Sequence, residues 1–231
     1  MSKFKELTIV EEYKIFVKDN FPKSEMSNEH NAIIKNVFKS IDIIEVYTNI
    51  LRDDRSAELL ENLKHQLFLI AFNLPKYSNF VFSSIIRNMS ETVLRLAVIN
   101  LVQNFENLLS LNFQNLKNSV KDSDYYTDTN FANLMSKFFS SFGKESQELH
   151  RTTNGSSKIN FLEELNVTIS IKKSDQIVKF LANLNEFILG HFSTQENIND
   201  LTLELSHKIA LKGILTQQIY DNYFKRSSPT L

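Results

Sequence analysis

The chain contains no cysteine, which excludes a disulfide framework and thiolate-ligated metal sites. A reducing compartment is therefore the expected setting, and the cytoplasm the expected location. Tryptophan is also absent while phenylalanine occurs 19 times, an imbalance that an AT-rich coding bias and large core side chains explain without invoking a function. Four glycines and three prolines in 231 residues are too few for the tight turns of a sandwich or barrel. Long apolar runs are missing too: Leu67 to Phe72, the longest near the middle, falls far short of the ~20 residues that cross a bilayer. The first twenty residues interleave Lys3, Lys5, Glu6, Glu11, Glu12 and Lys14 with apolar side chains, so no signal peptide and no membrane span are expected. A formal net charge of −1 supplies no global field for nucleic-acid phosphates, so any such contact must be a local patch.

What is present is the balance of a globular protein: 42% apolar residues to build a core against 23% charged residues to solvate it. The expected architecture is all-α, an up-and-down helical bundle of about seven to eight helices with long connections. A single domain over 1–231 is expected, with a sub-boundary near 121–129, where Asp, Ser, Tyr and Thr interrupt the apolar periodicity, and a flexible tail at about 225–231.

Apolar spacing predicts a first helix over Phe4 to Phe16, stopped before Pro22. Ser27 starts a second, in which Ile33, Ile34, Val37, Ile41, Ile44 and Tyr47 recur at three and four. The polar break Asp53, Asp54 and Ser56 caps a third that ends at Pro75. The run from Ser78, with Phe82, Ile85, Ile86, Met89, Val93 and Leu96, is apolar on all sides and is expected to be the central element. It either continues through Leu116 or kinks after Asn104. Another helix is expected from about Asn130. Val167, Ile169 and Ile171 alternate, but a lone strand has no partner, so 166–172 is expected to be extended loop. Ser174-Asp175 then caps a helix closed by Gly190, and a last helix begins near Thr194.

Several chemistries lack their motifs. No glycines are spaced as G-x-G-x-x-G and none precedes a Lys-Ser or Lys-Thr pair, which disfavours Walker-type nucleotide hydrolysis. The five histidines, His30, His65, His150, His191 and His207, are scattered without zinc-ligand spacing, and no cofactor is expected. Glu163-Glu164, Lys172-Lys173 and Lys225-Arg226 read as solvated surface. Arg87, Glu91 and Arg95 form a charged row at i, i+4 and i+8 inside the most apolar run. Facing solvent, such a row is an ordinary pair of helix ion pairs; facing inward, every charge needs a partner and the row marks a site. His150 stands where an apolar face gives way to Arg151, Thr152, Thr153, Asn154 and Gly155, and an imidazole there can exchange protons with a hydroxyl or leaving oxygen.

Ile85-Ile86-Arg87-Asn88-Met89-Ser90-Glu91 with Val93-Leu94-Arg95-Leu96, and later Phe138-Phe139-Ser140 through Glu148-Leu149-His150, resemble two helices of HEPN-type proteins over the span from Ser78 to Gly155. The resemblance implies an all-helical homodimer that cuts RNA without a metal, in a bacterial phage-defence or toxin–antitoxin setting. In that family an arginine stands four to six residues before the catalytic histidine. Here no histidine has one, and Lys144 is the nearest equivalent before His150; lysine lacks the planar bidentate fork of guanidinium. The expected catalytic set is accordingly His150, Arg87 and Glu91, with Lys144, Arg151 and Asn154 on the RNA. The competing expectation is a non-catalytic helical interaction or regulatory subunit whose apolar faces meet a cognate protein. A helix-turn-helix regulator is poorer, because no short basic recognition helix stands out.

Overall fold

The computed structural model describes residues 3–102, 104–123, 132–137, 140, 169–195 and 198–225. Among these the fold is an all-α bundle with no strand. Helix α1 spans Lys3–Asn20, α2 Asn28–Ile50, α3 Asp54–Asn73, α4 Asn79–Val98, α5 Phe105–Ser110, α6 Phe113–Lys121, α7 Ile171–Gln195, α8 Leu205–Ile214 and α9 Gln217–Phe224. Short 3-10 turns follow α3 at Leu74–Lys76 and α4 at Ile99–Leu101, and 132–137 is helical. No described helix is long and apolar enough to cross a membrane.

In a chain so poor in glycine and proline, side-chain caps start most of the described helices, though α8 starts after Glu204 without one. Ser27 opens α2, where its hydroxyl accepts from the His30 backbone and its own N–H donates to His30 Nδ1 at 3.1 Å, a capping box with histidine in the usual place of glutamate. Asp53 caps α3 through Ser56, and Ser78 caps α4 through Val81. Asn104, Asn112 and Thr216 do the same for α5, α6 and α9. Each cap satisfies a backbone N–H that the first helical turn leaves without a partner.

Helix α2 organises the bundle. It packs on α1, α3, α7 and α8, while α4 packs on α3 and α6. Ile33, Ile34, Val37, Ile43, Ile44 and Tyr47 of α2 are all fully buried, joined by Leu60, Leu63 and Leu67 of α3 and by Leu181, Leu184, Phe187, Ile188 and Phe192 of α7. At roughly 1.5–3 kcal/mol per buried aliphatic or aromatic side chain, this interior is the main source of stability. The 78–102 run forms α4 and the short turn after it, and Phe82, Ile86, Met89, Val93, Leu94 and Leu96 of α4 are buried against the described neighbours α3 and α6 and the rest of the core.

Other boundaries moved for local reasons. The 105–116 run is two short helices, because Asn104 and Asn112 each start a new one. Helix α7 begins at Ile171, one turn earlier than Ser174-Asp175 suggested, because the Ser170 hydroxyl accepts from the Lys173 N–H. Of the described residues of 166–172, Ile169 and Ser170 lie outside any helix or strand, whereas Ile171 and Lys172 belong to α7 rather than to an extended loop. Gly190 does not close α7, which runs on to Gln195. A Cβ there would lie 2.6 Å from Leu134 Cδ1, so this glycine admits the 132–137 segment against α7. That segment is held by Asn183, which donates to the Lys137 carbonyl, and by the Lys137–Glu186 ion pair at 3.1 Å. The last predicted helix is two, α8 and α9, set apart by the Thr216 cap. The connector from 124, residues 138–139 and 141–168, and the tail from 226 lie outside the described residues.

Gly213 differs from Gly190, since a Cβ built on it meets nothing within 4 Å. Gly213→Ala is expected to stabilise the fold by about 0.5–1 kcal/mol through helix propensity, read from the midpoint of urea unfolding.

Burial of His191 on α7 generates a second expectation. Its ring stacks on Phe187 with centroids 5.3 Å apart and meets Phe192 edge-on at 4.9 Å, while Phe192 stacks on Tyr47 at 5.1 Å. Burial pushes the His191 pKa down to about 4. Burial also lowers His30, against a weaker opposing pull from Glu29. The unfolded chain therefore takes up these protons first as pH falls below ~6.5, and the fold loses stability down to the folded pKa. For His191 that loss is roughly 3 kcal/mol between pH 6.5 and 4. Unfolding midpoints measured across this range should fall steeply for the wild type and less so for His191→Phe.

Candidate functional site

The charged row on α4 faces neither open solvent nor an empty interior. Arg87, Glu91 and Arg95 are 18, 24 and 16% exposed at their side chains. Arg87 Nε donates to Glu91 Oε1 at 2.9 Å, and Arg95 Nη2 lies 3.8 Å from the other Glu91 oxygen. The Arg87 guanidinium sits 3.7 Å above the Phe113 ring at the start of α6, a cation–π contact. Arg95 Nη2 reaches the carbonyls of Leu109 and Leu111 at 3.3 and 3.4 Å, where α5 has ended and its last carbonyls lack helical partners. The row thus grips both sides of the α5–α6 junction. Each guanidinium is engaged in fastening α4 to the segment that follows it, with Glu91 balancing the two charges.

Of the other predicted site residues, His150, Lys144, Arg151 and Asn154 lie outside the described residues. The structure thus brings Arg87 and Glu91 together and places them beside Arg95 and Phe113. No group of three or more His, Asp or Glu side chains among the described residues is gathered as a metal site.

A different feature stands open between α1 and α3. Ile9, Glu12, Tyr13 and Phe16 of α1, Phe38 of α2, and Phe68, Ala71 and Phe72 of α3 line a cleft of about 370 Å3. Its walls are preorganised. Tyr13 donates its hydroxyl to the Ala71 carbonyl at 2.6 Å, tying α1 to the last turn of α3. Phe16 and Phe21 both lean on Phe72, at 6.4 and 5.6 Å between centroids, and Lys76 Nζ lies 5.3 Å over Phe21. Phe68 tilts edge-on against Phe38 at 6.5 Å. Despite these contacts Phe68 and Phe72 remain 46 and 56% exposed, and Leu69 beside them is exposed as well.

No family model matches the chain. Nor does any curated protein or solved structure.

The signal for the cleft is in the sequence, in the same Leu67 to Phe72 run that is too short for a membrane. A helix turns 100° per residue, so six consecutive apolar side chains cannot all share one face. Leu67, Ile70 and Ala71 take the buried face of α3, which leaves Phe68, Leu69 and Phe72 outside. A second apolar strip is exposed at Leu201, Leu205 and Ile209.

The α4 row has a direct test. Arg95→Met removes two carbonyl contacts but also a guanidinium whose Nε is buried without an acceptor. The net cost expected is therefore modest, about 1 kcal/mol in chemical unfolding. Arg95→Lys should recover little of it, because an ammonium cannot span both carbonyls and the Glu91 carboxylate from one position.

Proposed function

We propose that this protein is a non-catalytic helical interaction module that docks a partner through the aromatic cleft between α1 and α3. The observation that carries this reading is the exposure of Phe68 and Phe72 on a preformed wall. Burying rings of this size is favourable by roughly 1.5–3 kcal/mol each, yet the fold leaves them half in water. Contiguous exposed aromatic surface of this kind is a mark of interaction sites. The α4 row supports the same reading, because its guanidinium groups are occupied with Phe113, Glu91 and two backbone carbonyls.

The rival proposal is the metal-independent RNase suggested by the HEPN resemblance, with His150 as general acid or base and Arg87 and Glu91 beside it. One experiment separates the two. Purified protein is incubated with mixed cellular RNA without metal, beside a folded His150→Ala variant, while binding of an apolar fluorescent dye is compared between wild type and a Phe68→Ser/Phe72→Ser double variant. Intact RNA, with dye binding at least halved in the double variant at unchanged far-ultraviolet circular dichroism, is the expected result. RNA cut by the wild type and spared by His150→Ala would overturn the docking reading in favour of the nuclease.

A further inference from the structure

We infer that the occupant of the α1–α3 cleft is an amphipathic helix of another protein, about two turns of it in contact, carrying a lysine or arginine that meets Glu12; this rests on the docking reading above.

The spacing of the walls points to a helix. On α1 the lining residues Ile9, Glu12, Tyr13 and Phe16 fall at i, i+3, i+4 and i+7, and on α3 Phe68, Ala71 and Phe72 fall at i, i+3 and i+4. Such ridges interlock with a helix whose own anchors repeat at three and four. From Ile9 to Phe16 the α1 wall rises about 10 Å at 1.5 Å per residue, which is two helical turns. A peptide added as a β-strand would need a row of main-chain donors and acceptors to pair with. The walls here are helices whose backbone groups are already bonded along their axes.

The charge of the occupant follows from Glu12, the one charged side chain among the described residues that line the cleft. Among the described residues it has no ion-pair partner, whereas its neighbour Glu11 is paired with Lys14 at 2.8 Å. A docked apolar face would press against this carboxylate and strip part of its water. A cation on the docked helix offsets that cost, and an acidic residue there would be repelled.

The exposed area argues against a second copy of the chain. At ~200 Å2 per ring, Phe68 and Phe72 together leave roughly 200 Å2 of aromatic surface uncovered. A stable dimer needs about 800 Å2 from each partner. A slender helix fits the smaller footprint.

The test is selection of a displayed library of random peptides of about 18 residues on the immobilised full chain. The expected winners carry apolar residues at i, i+3 or i+4, and i+7, with Lys or Arg at one fixed flanking position. They lose binding to Phe68→Ser/Phe72→Ser and bind Glu12→Lys about fivefold more weakly, while Glu12→Lys itself selects Asp or Glu at the flanking position. Winners with the same apolar spacing but indifferent to Glu12→Lys would overturn the charged partner and leave the docking reading standing. Winners independent of Phe68 and Phe72, or none at all, would overturn both. A dimer in sedimentation equilibrium that dissociates in the Phe68→Ser/Phe72→Ser variant would overturn the assignment in favour of a second copy.

Discussion

Burial of α2 on several sides is the constraint on which the bundle depends. A surface helix needs one apolar stripe; α2 must offer apolar side chains to α1, α3, α7 and α8 at once. It does so with β-branched residues, Ile33, Ile34, Val37, Ile41, Ile43 and Ile44, whose few rotamers lose little freedom on packing. The Ser27–His30 box fixes where this helix starts and hence the phase of every contact along it. Tyr47 near its other end carries the packing into the Phe192, His191 and Phe187 stack on α7. Because burial lowers the pKa of His30 on α2 and of His191 on α7, the packing of these two helices also links stability to acid.

Away from this centre, charge and aromatic groups do the fastening. The α4 row illustrates how a helix rich in apolar residues tolerates three charges: guanidinium groups take up backbone carbonyls that α5 leaves without partners, and one ring accepts the remaining positive face. At the far end, the Tyr220 hydroxyl donates to Asp200 at 2.6 Å and holds that carboxyl below its usual range, joining α9 to the turn before α8. The α1–α3 cleft is built by similar means, from the Tyr13–Ala71 hydrogen bond and a set of tilted rings, yet its outer rings remain uncovered. The difference between the row and the cleft is one of completion. The described polar contacts of the row fasten it to neighbouring elements, whereas the cleft ends in exposed aromatic carbon and in Glu12, which has no ion-pair partner among the described residues.

How much of this was legible in the sequence depends on which physics was local. The starts at Ser27 and Asp53 were readable because an Ncap hydroxyl or carboxylate acts on backbone groups within three residues. The all-α class was readable because turn residues are scarce and apolar spacing is helical. Boundaries at Gly190 and Ser174 were misplaced because a glycine can admit a neighbouring segment as easily as it ends a helix, and because Ser170 offered an equally good cap one turn earlier. Arg87, Glu91 and Arg95 were correctly placed on one helix face, but their spacing does not say what lies opposite.

The sequence by itself determined the all-α class, the starts of α2 and α3 and the surplus of apolar side chains on α3, since each follows from interactions within a turn or two of chain. The tertiary structure decided which of those apolar faces are satisfied. Packing is a contest between surfaces far apart in sequence, and only its outcome shows α2 enclosed, the α4 charges engaged with α5 and α6, and Phe68 and Phe72 left facing water.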